Sequence, residues 1–230
     1  MIDKRIYHEF THRQAFFRIC TQSLEAVKQE IIRRRQILED YIARQPEFKT
    51  SFKPVELLPD APEIAQKMAA AAGKLGVGPM AAVAGVMAQY AAEAGMIAGD
   101  EDVIVDNGGD IYLRIAQPIV VGLYAGSGMR AGRLGFSIQP EQTPVAICSS
   151  SSRMGHSTSL GQCDLATVVS KDAALADAAA TQAANRIQAI SDIDATLNDI
   201  STVKGIDGVL IVKDGHIGMA GHLPGLTKIE

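Results

Sequence analysis

Asp177 and Thr181 stand four residues apart in an alanine-rich stretch, Ala173 to Thr181 (AALADAAAT). On a helix that spacing puts both side chains on one face, about one turn apart. A carboxylate and a hydroxyl so placed can share a hard cation such as Mg²⁺, which takes oxygen ligands and fills its shell with water or phosphate. Upstream, the serines Ser149 to Ser152 close an apolar segment, Thr143 to Cys148, and lead into Gly155-His156-Ser157. His156 suits general-base or phosphate-binding work, because imidazole titrates near neutrality; a hydrogen bond to loop backbone is the alternative. The serines can donate to phosphate or cap the turn.

Two glycine-bearing stretches can help build a pocket around that helix. Gly78-Pro79 opens a small-residue segment, MAAVAGVMAQYAAEAG. It reads either as a buried helix that lets a neighbour approach closely or as a helix start offering N–H groups to an anion. Asn107-Gly108-Gly109 lies between the apolar runs Val103–Val105 and Ile111–Leu113, a strong hairpin signal. Asp106 and Asp110 bracket it and can serve the turn alone.

Composition bounds the rest. The 230 residues can bury a sizeable core, and 47% of them are apolar although Trp is absent. The net charge of −4 argues against nucleic acid as a partner. Three cysteines without C-x-x-C spacing fit a reducing compartment rather than a disulfide framework or a zinc knuckle. Cys163 reads as a small buried filler, and His216 and His222 as surface residues. The charged MIDKRIYHEF start lacks the apolar core of a signal peptide, and no apolar run reads as a membrane span. The expected location is the cytoplasm.

The elements follow in order. Arg5–Tyr7 and Ala15–Ile19 read as strands around a polar turn, Glu9 to Gln14. Ser23 is placed to cap a helix from Leu24 to about Arg44, whose Arg33-Arg34-Arg35 run reads as a solvated face that could also touch phosphate. Asp60 is placed to cap a helix over Ala61 to Ala72, and a second helix follows to about Ala94. Strands are predicted over Pro118–Tyr124, Gly135–Ile138, Pro144–Ile147 and Leu165–Val169, with a closing hairpin, Gly208–Val212 and Ile217–Ala220, after a helix near Ser191–Leu197. Strands grouped with helices between them predict an α+β fold over a single domain, residues 1–230.

With GPMAAVAG at 78–85, VDNGGDIYL at 105–113, GHSTSLG at 155–161 and the Asp177–Thr181 pattern in hand, the chain resembles the ApbE-like flavin transferase superfamily. It is most similar to the superfamily's uncharacterised cytoplasmic branch of bacteria and archaea. The resemblance implies antiparallel sheet with packed helices, internally duplicated in the manner of T-folds. It implies an enzyme that binds FAD and Mg²⁺, cleaves the pyrophosphate and moves FMN onto a threonine of a protein acceptor. Asp177 and Thr181 would then hold the metal, with His156 catalytic. Gly78, Asn107, Gly108, Gly109, Ser150, Ser151 and Ser157 would line the FAD or FMN site, and a homodimer is compatible. The family's lysine-glycine pair is replaced here by Val77-Gly78-Pro79, and only Gly155-His156-Ser157 answers to its His…Asp-Pro-x-Thr-Gly stretch. Three functions stay open: Mg²⁺-dependent transfer or hydrolysis of a flavin dinucleotide, cofactor binding without catalysis, and a structural protein that keeps the fold.

Overall fold

The computed structural model describes residues 5–124, 133–152 and 161–229. An eight-stranded antiparallel sheet forms the middle layer. Its strands are β1 (His8–His12), β2 (Ala15–Cys20), β3 (Val103–Asn107), β4 (Asp110–Arg114), β7 (Val145–Ser150), β8 (Leu165–Ser170), β9 (Ile206–Lys213) and β10 (His216–Gly221), in that spatial order. A second sheet holds β5 (Ile119–Leu123), β6 (Arg133–Ile138) and β11 (Gly225–Ile229) in the order β11-β6-β5.

Side chains alternate between two cores across the large sheet. Val103, Val105, Tyr112, Cys148, Val168 and Ile211 join the helices in one cluster. Ile104, Leu113, Ile147, Val169 and Leu210 join Val121, Leu123, Phe136 and Ile138 of the small sheet in another. With both faces covered, the central strands read as continuous apolar runs rather than as alternation. The helical layer comprises α1 (Leu24–Arg44), α2 (Glu47–Thr50), α3 (Glu63–Leu75), α4 (Val83–Ile97), α5 (Ala173–Arg186) and α6 (Ile193–Ser201). The fold is α+β, as expected.

Small residues let α4 and α5 pack closely. A Cβ on Gly85 would sit 2.2 Å from the Ala173 carbonyl oxygen and 2.8 Å from Asp177 Cβ. Pro79–Ile97 does reach the length and apolarity of a membrane span, with a mean hydropathy of 1.2 over its best window. That corrects the expectation that no run would. In the folded chain, though, most of α4 is buried among its neighbours.

Several boundaries are also corrected. The first strand is His8–His12, and the turn tightens to Arg13-Gln14, with Arg13 at φ +54°. Ser23 makes no side-chain cap to its helix. Asp100 serves the entry to α1 instead, accepting from the Gln22 and Ser23 amides at 2.9 Å each and from the Thr21 and Ser23 hydroxyls. The helix expected from Ala61 begins at Glu63, because Pro62 stands extended at ψ 156° and a residue before proline is steered away from helical backbone. The chain also adds β11, too polar on its exposed side to stand out.

Candidate functional site

Strand register brings the candidate residues to one end of the large sheet. Phe17 lies opposite Asn107, Asn107 opposite Asp110, Asp110 opposite Cys148, and Ser150 opposite Ala166. Strands β2, β3, β4, β7 and β8 therefore all start or stop there. At that end, between the helices and β5, lies a cavity of about 780 Å³. Phe17, Ile31, Met80, Val83 and Met87 wall it on the helical side, and Ile111, Val121, Leu123, Ile147 and Leu165 on the small-sheet side. Asp106 to Asp110, Ser149 to Ser151, His12, Gln14 and Arg35 supply its polar lining.

The Gly108-Gly109 turn explains its own sequence. Both residues have positive φ, +68° and +104°, and an added Cβ would meet nothing within 4 Å at either. Backbone conformation, rather than space, requires glycine. Asp106 Oδ1 accepts the Gly109 N–H at 2.9 Å, so that donor is already engaged within the turn. Asn107 donates to the Ala84 carbonyl at 3.1 Å and ties the hairpin to α4.

Behind the turn sit two carboxylates. Asp177 is 8% exposed and its Oδ2 accepts the Gly85 N–H at 2.8 Å. Burial pushes it up to about 7, with the Gly85 and Ala84 amides opposing the rise. Asp110, 7% exposed, lines the cavity, and its Oδ1 is buried with no hydrogen-bond partner. Burial first, then the neighbouring Asp177 carboxylate, raise Asp110 well above the usual range. Cys148 lies beside this pair, and burial followed by Asp110 raises its thiol as well.

The expected site is thus partly assembled. Asn107, Gly108, Gly109, Ser150 and Ser151 line the cavity. Asp177 is not among the lining residues: it stands in the wall behind Asp110, against α4, rather than facing solvent. Thr181 is half-buried one turn further along α5, and it too is outside the lining. Gly78 is elsewhere; its Cβ would fall 1.9 Å from the Ser51 carbonyl oxygen, so close backbone packing accounts for that glycine. His156 and Ser157 lie outside the described residues. In the sequence Asp110 can serve the turn alone, slightly more readily than a site, and His12 carries no signal beyond its polar turn. Arg35 belongs to the basic run Arg33-Arg34-Arg35.

A family model described as AbpE bacteria matches residues 13–207, most of the chain. The chain belongs to that family. A UPF0280 protein of Methanococcus maripaludis is 44% identical over 208 residues, covering 88% of this chain and 84% of that protein. A UPF0280 protein of Archaeoglobus fulgidus is 38% identical over 234 residues, covering 96% and 94%. Among solved structures, the flavin transferase ApbE from Vibrio cholerae aligns with a TM-score of 0.58 at 13% identity, covering 96% of this chain and 97% of that one. The apo flavinyl transferase ApbE of Pseudomonas stutzeri aligns at 0.57 and 10% identity, covering 96% of each. At such identities the likeness is one of fold, and it places this AbpE-family chain in the ApbE-like architecture.

The donor set at the AbpE-family site can be tested against a divalent cation. Two buried carboxylates side by side repel each other when ionised, and a bound cation relieves that repulsion. The unpartnered Asp110 Oδ1 is a hard oxygen within a residue of the cavity wall, and Asp177 stands behind that residue. Among the described residues no three His, Cys, Asp or Glu side chains converge. A cation here would therefore complete its shell from water or a phosphorylated ligand, the habit of Mg²⁺.

Proposed function

We propose that this protein binds a flavin nucleotide, FAD or FMN, in the cavity at the sheet end, and binds it more tightly with Mg²⁺ than without. The observation that carries the reading is the unpartnered Asp110 Oδ1, set beside Asp177 in the wall of a cavity that is otherwise largely apolar. An apolar chamber with a few convergent polar groups suits a flat heteroaromatic body carrying a phosphate tail. About 780 Å³ lies within the range of such ligand sites. The fold shared with the ApbE flavin transferases supports the same ligand class.

When bound, Mg²⁺ would neutralise charge on the phosphate oxygens, which is most of what phosphoryl transfer requires. Asp110 and Asp177 are the residues to hold it, with Thr181 on the same helix as Asp177. The Gly108-Gly109 turn keeps the approach to Asp110 clear of side chains. Transfer of FMN to a protein acceptor, or hydrolysis of the pyrophosphate, is the reaction such an arrangement suits. Binding without turnover is the second reading, favoured by Val77-Gly78-Pro79 standing where the resembled family carries its lysine-glycine pair.

Calorimetric titration with FAD and FMN, each in Mg²⁺ or EDTA, tests the proposal. Tighter binding in Mg²⁺ is expected. No binding of either nucleotide in either buffer would sink the flavin reading; equal binding in Mg²⁺ and EDTA would sink the metal site. FMN release or transfer assayed alongside separates turnover from binding alone.

A further inference from the structure

The basic run Arg33-Arg34-Arg35 divides by function once placed in the fold. Arg33 pairs with Glu30 through two bonds of 2.7 Å. Arg34 bonds Glu30 and Glu63 and stacks 3.6 Å over the Tyr90 ring. Both are spent on packing. Arg35 alone of the three reaches the cavity, together with His12 at the end of β1 and Gln14 in the β1–β2 turn.

Arg35 is held but not used up. Its Nε donates to Glu39 at 2.7 Å and its Nη2 to Gln14 at 3.1 Å. Its Nη1 group has no hydrogen-bond partner among the described residues. Glu39 is shared with Arg13, at 3.2 Å, so one carboxylate faces two guanidinium groups and the cluster keeps a surplus positive charge. The Glu39 and Gln14 bonds fix the guanidinium plane, which is the preorganisation an oxyanion site needs. Among the described residues the other charged side chains of the lining are the acids Asp106 and Asp110. Asp110, on β4, lies two strand spacings from β2, about 10 Å, and Asp106, on β3 one spacing away, is engaged by the Gly109 N–H.

We propose that Arg35, with His12 beside it, forms an anion subsite that takes a phosphate of the bound nucleotide independently of any metal. The subsite rests on the flavin reading above and adds to it a residue that discriminates phosphorylated from unphosphorylated ligand. Arg35 is a binding and positioning residue here; it performs no chemical step.

The test uses riboflavin, FMN and FAD in EDTA, where the acidic end can offer an anion nothing but repulsion. Wild type should bind FMN and FAD about ten- to a hundred-fold more tightly than riboflavin, the range for a charge-assisted contact, and the preference should shrink as salt rises. Arg35→Gln should erase that preference and leave riboflavin affinity unchanged, while Arg35→Lys should restore part of it. A melting curve guards against misfolding, and Glu39 retains Arg13 in both variants. Loss of riboflavin and FMN binding in parallel, or an unchanged preference in Arg35→Gln, would overturn the subsite. Wild type that binds none of the three, with or without Mg²⁺, refutes the flavin reading instead. Wild type that binds all three equally in EDTA refutes the subsite alone.

Discussion

Neutralising Asp177 should change how stability depends on pH. The carboxyl is buried and titrates at about 7 in the folded chain, against 3.8 when unperturbed. Its folded value is raised, so folding favours the protonated form. The associated stability is fully present below about pH 4 and is lost as pH rises through about 7. Each pH unit between those values is worth about 1.4 kcal/mol. Across the whole interval that amounts to about 4 kcal/mol, and from pH 5 to pH 8 to roughly 2–3 kcal/mol. For a chain of this length that corresponds to a fall in Tm of roughly 5–10 °C. Asp177→Asn keeps an oxygen to accept the Gly85 N–H and removes the titration. Without Asp177's charge, Asp110 also ionises more easily, so the two effects act in one direction.

The assay is denaturant unfolding of wild type and Asp177→Asn at pH 5, 6, 7 and 8, without divalent metal. The wild-type stability should fall with pH more steeply than the variant's, by roughly 2–3 kcal/mol over the range. Superimposable profiles would refute the reasoning, because they would mean that Asp177 titrates as an exposed carboxylate. Asp177 is buried against α4 and accepts the Gly85 N–H, so its ionisation bears on stability as well as on any metal it holds.

Two further outcomes follow from packing. Gly85→Ala gains helix propensity of about 1 kcal/mol but drives a methyl against the Ala173 carbonyl oxygen; overpacking of about 1–3 kcal/mol or more should win. A variant that melts above wild type would show that α4 and α5 do not meet this closely. Cys148 and Cys163 are buried, the first raised by burial and the carboxylates, the second pushed up by burial to about 12. Neither should react with an aromatic disulfide reagent at pH 8 until the chain is denatured; rapid native labelling of either, read by mass, contradicts that.

The parts of the fold legible in the sequence are those whose causes are local. Leu24 to Arg44 has its apolar stripe, and the Asn107-Gly108-Gly109 turn has its glycines. Two helix starts were misread. Asp100 engages the Ser23 hydroxyl that was placed to cap α1, and extended Pro62 delays the start of α3 to Glu63. In the first case a side chain far along the chain outcompetes a neighbour. Propensity cannot register such competition.

The candidate site divides along the same line. Spacing identified Asp177 and Thr181 as sharing a face, but a shared face says nothing about what covers it. Gly85 covers it, because only a residue without a side chain lets α4 close over α5 at that point. The same closeness delivers the Gly85 N–H to Asp177 and sets that carboxylate behind Asp110, whose strand partner Cys148 lies two residues in from the cavity end of β7. In the sequence alone the turn reading of Asp106 and Asp110 slightly outweighs a functional one, because aspartates beside a Gly-Gly turn have a local role. Yet it is Asp106 that serves the turn, by accepting the Gly109 N–H. Asp110 Oδ1 is left with no structural task, and a buried oxygen without one is the strongest sign of a ligand that the described residues carry.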